Sequence, residues 1–123
     1  MNKKTEIQWL AEPEEHNYPA AKSYLSLLFD DATCDGLVAK LRAAPMASFK
    51  AKDIFRASEL SLLGISNGHV ERDRLKVTSG KQLSPLLLVR DAARGKTIVA
   101  DGYHRLCAVY SFSEDELIPC KIV

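Results

Sequence analysis

The spacing of hydrophobic residues in the first third of the chain is typical of short helices. Four apolar residues recur at intervals of three and four on one helical face: Ala20, Tyr24, Leu27 and Leu28. This period predicts a helix over 18–29, with Asn17 as its cap and Pro19 in its first turn, where proline is tolerated. The preceding segment, Met1 to Asn17, is expected to be a polar arm held in place by Trp9 and Leu10.

A second helix is predicted over 34–44, after the short connection 30–32. Thr33 is its expected N-cap, and Pro45 ends it because proline cannot continue a helix. Its apolar stripe consists of Leu37, Val38 and Leu41. Two short helices joined in this way predict a helical hairpin that packs on another part of the molecule.

Beyond residue 46 the pattern predicts a mixture of strands and helices. Strands are expected at 47–52, 85–90, 97–100 and 117–123, and the second and third of these should form a hairpin across the turn 91–96. Helices are expected at 68–79, capped by Ser66 or Asn67 and ended by Gly80, and at 103–112. The order predicts an α/β (α+β) fold: a small mixed sheet with helices, preceded by the helical hairpin.

Composition and charge narrow the range of functions. The chain has 123 residues, of which 46% are hydrophobic and 27% charged, as in globular domains. Its net charge of +1 gives no strong field towards nucleic acid or a membrane surface. Residues 1–35 nevertheless hold seven acids and three bases, whereas residues 69–105 hold eight bases and four acids. The second half therefore suits an anionic ligand, although charges on solvated faces would look the same.

Cysteine number and hydropathy bear on the compartment. Three cysteines, Cys34, Cys107 and Cys120, form no CxxC pair and argue against a disulfide framework or a zinc site. The longest aliphatic run, 86–89, is far too short to span a bilayer, and the N-terminus has no signal-like apolar segment. We therefore expect a cytoplasmic protein with no membrane contact.

The segment 98–108 carries the clearest chemical signal, because a strand runs through Gly102 directly into a helix. Such a helix start leaves backbone N–H groups unpaired and carries partial positive charge. His104 and Arg105 occupy the first turn, where each cation costs roughly 0.3–1 kcal/mol. A bound phosphate group would offset this cost.

Other interpretations of the same residues remain open. Asp101 could be a plain N-cap, Gly102 a steric necessity and His104 a surface residue. Arg105 could pair with Asp101 or Glu71. Tyr103 is more readily a pocket wall than a nucleophile, and Cys107 is expected to be a buried helix residue without a reactive thiol.

The sequence Asp101-Gly102-Tyr103-His104-Arg105 resembles the ParB/sulfiredoxin superfamily signature. It is most similar to the Asp-Gly-His-His-Arg form of free-serine kinases, with Tyr103 in place of the first histidine. Sulfiredoxins carry a cysteine at that place, so their activity is not expected here. The resemblance covers residues 47–123 and includes the segments 83–89 and 118–123, which overlap the second and fourth predicted strands. It implies that the chain divides into an N-terminal arm and helical hairpin, 1–46, and a ParB/sulfiredoxin-like domain, 47–123, within one compact unit.

The resemblance implies a nucleotide site whose phosphates contact Gly102, Tyr103, His104 and Arg105. It also implies ATP or another nucleotide as cofactor, with Mg²⁺ that Asp101 could hold, since hard cations prefer carboxylates and phosphates. Glu59 occupies the place of a catalytic glutamate and could act with Asp101, taking a proton from an attacking hydroxyl. The alternative for Glu59 is an ordinary loop acid.

Three functions follow as hypotheses. The first is an ATP- or ADP-dependent phosphotransferase that acts on a small hydroxyl compound. The second is a ParB-type, nucleotide-gated DNA-partition or regulatory module, although the acidic N-terminal hairpin is unsuited to gripping nucleic-acid phosphates. The third is a non-catalytic protein that binds a nucleotide or a phosphorylated small molecule, with a protein partner on its N-terminal helices.

Overall fold

The computed structural model describes residues 6–123, so the first five residues of the predicted polar arm lie outside it. The described chain is mixed α and β, as predicted. Its strands are β1 (Gln8–Trp9), β2 (Ala47–Lys50), β3 (Gln82–Leu83), β4 (Leu86–Asp91), β5 (Lys96–Asp101) and β6 (Leu117–Ile122). Its helices are α1 (Asn17–Leu25), α2 (Asp31–Ala43), α3 (Ala51–Ser58), α4 (Gly68–Thr78) and α5 (Tyr103–Phe112).

The main sheet has four strands in the order β2-β6-β4-β5. The β4 and β5 strands are antiparallel and form the predicted hairpin, while β4 and β6 run parallel and β6 and β2 antiparallel. The sheet is therefore mixed, as the sequence indicates. The strands at its two edges are β2 and β5, and β5 leads directly into α5.

Both faces of this sheet are covered by helices, which explains the continuous apolar run of β4. Leu86 and Leu88 face the core formed with α3, α4 and α5, whereas Leu87 and Val89 face the core formed with α1 and α2. Successive strand residues point to opposite faces, so a strand buried on both sides reads as uninterrupted hydrophobic sequence. The helical hairpin thus packs on the sheet.

A small second sheet confirms that Trp9 and Leu10 hold the N-terminal segment in place, and it corrects the description of residues 6–17 as a polar arm. Gln8 and Trp9 form β1, which pairs in parallel with β3. Ile7 is buried in the main core and Trp9 packs against it. This segment is held in place because its few apolar side chains pack into the core. In the sequence they stand singly among polar residues, so no hydrophobic pattern marks the segment.

The first helix differs from its prediction in its ends and in its buried face. It ends at Leu25, not residue 29, and its N-cap is His16; the Asn17 side chain instead accepts a 2.7 Å hydrogen bond from the Glu14 N–H. The side chains that enter the core are Tyr18, Ala21 and Leu25. The stripe 18/21/25 has the same helical period as the predicted one, so periodicity alone could not choose between them.

Two further boundaries were predicted wrongly. The second helix begins at Asp31, because Asp30 accepts the Thr33 N–H at 2.8 Å; Thr33 is a donor and not the cap. The strand predicted over 47–52 ends at Lys50, and residues 51–58 form α3, which was not predicted. The buried residues of α3 are Ala51, Ile54 and Ser58. They have helical spacing, but most of the residues between them are polar, so the stripe is not evident in the sequence.

The remaining helices follow their predictions closely. Asn67 caps α4 as expected, since its Oδ1 accepts the N–H groups of His69 and Val70. Gly80 follows the helix with a positive φ of 76°. Helix α5 has its predicted bounds, so the segment with the strongest chemical signal is also the one whose local structure the sequence predicted best.

Candidate functional site

The junction between β5 and α5 requires glycine at position 102. Gly102 has a φ of 109°, which side-chain-bearing residues rarely adopt. A Cβ there would lie 2.6 Å from Cγ of Leu86 and 3.0 Å from Nη2 of Arg105. The structure therefore confirms that Gly102 is a steric necessity, because a side chain at this position would collide with Leu86. It allows α5 to begin at the very end of the strand.

The N-terminus of α5 has no side-chain cap within the described residues 6–123. Gly102 offers no side-chain acceptor, and the first turn contains no acidic residue. The N–H of Leu106 bonds to the Gly102 carbonyl at 2.9 Å, whereas the N–H groups of Tyr103 and His104 have no acceptor in residues 6–123. These donors and the helix dipole together favour an anion at this end.

Arg105 is held by internal partners, which changes the role expected for it. Its Nη2 donates to Oδ2 of Asp101 at 2.8 Å, and its Nε donates to the carbonyl of Ser84 at 3.0 Å. Both charged side chains are more than four-fifths buried. Of the two pairings left open, Arg105 with Asp101 is the one observed; Glu71 lies near Arg74 instead. Arg105 thus fixes the β5–α5 turn against the chain before β4.

The two carboxylates expected to act in catalysis lie in different surroundings. Asp101 lines a cavity beside α5 but is already paired with Arg105. Glu59 is exposed at the C-terminal end of α3, with a left-handed φ of 59°, and does not line that cavity. The structure therefore does not bring Glu59 and Asp101 together. Within the described residues, no group of three or more metal-ligating side chains is present.

Tyr103 forms a wall of the site. Its hydroxyl donates to the carbonyl of Ser61 and so ties the loop after α3 to the start of α5. Burial raises the pKa of the Tyr103 hydroxyl above its ordinary value, which keeps it protonated at neutral pH. Burial likewise raises the pKa of the Cys107 thiol, in keeping with a buried helix residue that is not reactive.

The cavity in front of α5 has a volume of about 180 Å³. One side is formed by residues 101–105 and the other by α4. The α4 residues that line it are His69, Arg72, Asp73 and Lys76. Sequence reasoning missed this contribution, although His69, Arg72 and Lys76 stand at i, i+3 and i+7 on a helix that was predicted and so share one face.

Two histidines that line this cavity are in contact with each other. The rings of His69 and His104 have centroids 4.7 Å apart. Burial lowers the pKa of His104 below its ordinary value, the nearby His69 and Arg105 lower it further, and Asp73 opposes them. His104 is therefore neutral near pH 7, and a bound anion would favour its protonated form.

A second cavity, of about 220 Å³, lies between α3 and the sheet. It is walled mainly by the apolar residues Phe49, Ile54, Leu88 and Ile122. Its lining includes a single basic side chain, Arg90, so the polar cavity at α5 is the stronger candidate for an anion site.

Comparisons with protein-family models, with curated proteins and with solved structures gave no match for this chain. The resemblance to the ParB/sulfiredoxin superfamily accordingly stays a prediction. In residues 6–123, no helix combines the length and apolar character that crossing a membrane requires.

Proposed function

We propose that this chain binds a phosphate-bearing ligand, a nucleotide or a phosphorylated small molecule, in the cavity at the start of α5. The observation that carries the proposal is the convergence of two helices on one polar cavity. The uncapped N–H groups of α5 lie on one side, and His69, Arg72 and Lys76 of α4 lie on the other. Open donors at a helix start together with mobile cations are the usual components of a phosphate site.

The residues have different roles in this proposal from those expected at first. The N–H groups of Tyr103 and His104 would donate to phosphate oxygens. Arg72 would supply charge without first losing an ion pair, because it has no acidic partner in residues 6–123. Lys76 lies 3.8 Å from Asp73 and could move to the ligand. Arg105 would be a positioning residue, since Asp101 and the Ser84 carbonyl already hold it.

The cavity also suits a nucleotide that carries Mg²⁺. This ion is commonly bound by phosphates, water and one or two carboxylates, and both Asp73 and Asp101 line the cavity. Phosphoryl transfer would in addition need a base near the acceptor hydroxyl. Because Glu59 does not line the cavity, the proposal is one of binding, and transfer to a hydroxyl compound stays a separate hypothesis.

The experiment is calorimetric titration with pyrophosphate, ADP and ATP, each with and without Mg²⁺. We expect binding of at least one of them, weakened about tenfold or more in the double variant Arg72→Ala/Lys76→Ala, because two charge-assisted contacts are lost. Lys40→Ala removes an exposed lysine of α2 and is the matched control. Absence of binding, or equal affinity in the double variant and the control, would contradict the proposal.

Turnover is measured on the same samples. Release of ADP from ATP in the presence of small hydroxyl compounds, lost in Glu59→Gln, would support the phosphotransferase hypothesis. Ligand binding with no ADP release would favour the non-catalytic one.

A further inference from the structure

An apolar face of α1 and the turn after it is exposed in the part of the chain that the structure describes. The side chains of Tyr24, Leu27 and Leu28 are 42%, 79% and 49% exposed. These residues belong to the stripe whose helical spacing predicted burial, yet within residues 6–123 about half or more of the surface of Leu27 and Leu28 stays open to solvent. Clustered exposed apolar side chains of this kind often mark a surface for a partner.

This face borders the free edge of the main sheet. In the described chain β5 pairs with β4 alone, so its other edge has no strand beside it. A groove follows that edge, because the four consecutive residues Lys96, Thr97, Ile98 and Val99 all line it. Successive strand side chains point to opposite faces, and four in a row can border one groove only along the strand's outer edge.

Walls stand on both sides of this edge groove. Tyr24 and Leu28 form the wall on the α1 side, and Ser58 and Leu60 form the other. A second groove, of about 340 Å³, shares Leu28, Lys96 and Ile98 with the first and extends it to Leu27. The strand edge and the exposed apolar face therefore belong to one continuous surface.

The charge on this surface is positive. Lys96 borders both grooves and has no acidic partner in residues 6–123, whereas the neighbouring Arg94 is paired with Asp91 at 2.9 Å. An unpaired lysine at the rim of an apolar groove favours a segment that carries an acidic residue beside its apolar ones.

We propose that the β5 edge binds an extended segment of a partner protein by β-strand addition. Main-chain hydrogen bonds to β5 would supply affinity, and apolar side chains at alternate positions would pack on Leu27 and Leu28. An acidic residue of the segment would lie at Lys96. A second copy joined through the same edge would place two like-charged Lys96 side chains on one shared surface, whereas an acidic segment would be complementary to it.

The probe is a pool of capped octapeptides in which valine, isoleucine or tyrosine alternates with glutamate, aspartate or threonine. Binding is followed by amide NMR spectra and hydrogen exchange of the full chain. We expect members that bind with Kd below about 1 mM and that slow exchange of outward N–H groups in residues 96–99. Backbone N-methylation of the same peptides should abolish this protection. Absence of binding throughout the pool, or protection elsewhere only, overturns the proposal.

Leu28→Ser should weaken the binding peptides about tenfold, because it removes apolar contact area. Leu117→Ser is the matched control, since Leu117 is 57% exposed on β6 and lines neither groove. Lys96→Glu should weaken acidic peptides and favour versions in which lysine replaces the acids. Equal affinity for Leu28→Ser and Leu117→Ser contradicts the proposal.

The alternative ligand of the β5 edge is a second copy of this chain. Analytical ultracentrifugation distinguishes such a dimer from binding of a partner segment. We expect a monomer at micromolar concentration, with peptide binding unaffected by protein concentration. A dimer that Leu28→Ser dissociates would overturn the partner-segment proposal. The phosphate site plays no part in these measurements.

Discussion

Helices α4 and α5 line the same cavity, α4 with one face and α5 with its N-terminus, and their N-terminal ends are completed differently. Asn67 caps α4 by accepting the N–H groups of His69 and Val70 at 3.0 and 3.3 Å. Helix α5 begins at Gly102, has no side-chain cap and carries His104 and Arg105 in its first turn. The start of α4 is capped by its own side chain, whereas the N–H groups of Tyr103 and His104 have no acceptor within residues 6–123 and would, in the proposed function, bind a ligand. The difference teaches that stability and binding capacity compete for the same backbone donors.

The largest expected effect comes from closing the space that allows the uncapped start of α5. Gly102→Ala should lower the free energy of unfolding by about 3 kcal/mol, because the new Cβ would meet Leu86 in a backbone conformation already unfavourable for alanine. Urea denaturation measures the change. Gly80→Ala, with a φ of 76° and no heavy atom within 4 Å, should cost only about 1 kcal/mol. Equal losses of stability in Gly102→Ala and Gly80→Ala would show that the positive φ alone requires glycine at position 102, and that the close approach of Leu86 does not contribute.

Next in size is the loss of the ion pair that holds the α5 turn. Asp101→Asn should lower the free energy of unfolding by about 2 kcal/mol, since it leaves the largely buried Arg105 without its countercharge. It should also strengthen pyrophosphate binding, because Arg105 would be released towards the cavity. The control is Asp91→Asn, which removes the pair with the exposed Arg94. Weaker pyrophosphate binding in Asp101→Asn would instead indicate that Asp101 itself holds the ligand or its metal.

A smaller effect is expected at the capped helix. Asn67→Ala should lower the free energy of unfolding by about 1 kcal/mol, the usual cost of removing a side-chain cap. If the two helix ends differ as proposed, pyrophosphate should raise the melting temperature of Asn67→Ala by the same amount as that of the unmodified chain. The reason is that the substitution leaves the cations of the cavity unchanged. Thermal denaturation with and without pyrophosphate tests this. A selective rescue of Asn67→Ala would show that the anion binds at α4.

The smallest expected effect is on pH dependence. The folded-state pKa of His104 lies below its unfolded value, so the unfolded chain binds more protons as pH falls and stability decreases through that window. A bound anion raises this pKa, and sulfate affinity should therefore increase as pH is lowered from about 8 to about 5. His104→Asn should flatten the sulfate profile, and His16→Asn, at an exposed histidine, should not. An unchanged profile in His104→Asn would place the proton uptake elsewhere.

The elements predicted best were those with local signals. Asn67, Gly80 and Gly102 mark the ends of α4 and the start of α5 through backbone chemistry that needs no distant partner. Helix α3 was missed because its short apolar stripe lies in a mainly polar segment. Apolar and polar residues alternate at the start of that segment, which predicts a strand. The buried side of α1 was chosen wrongly because two apolar stripes share one period, and the sheet accepts the one with Tyr18 and Leu25.

The candidate site divides in the same way. The sequence indicated residues 101–105 as a group, and they do line one cavity. It could not tell whether Arg105 faces a ligand or Asp101, since both lie within reach of a guanidinium at i+4. Nor could it tell that Arg72 and Lys76, some thirty residues earlier, stand across that cavity.

The sequence by itself determined the elements whose hydrophobic period or capping residues are unambiguous, the β4–β5 hairpin and the strand–glycine–helix turn, because these depend on interactions between near neighbours. The tertiary structure decided which helix face is buried, which strand edge stays free, and which charges are paired. Those outcomes depend on the packing of segments far apart in the chain, where small differences in fit select one contact among several that the sequence permits.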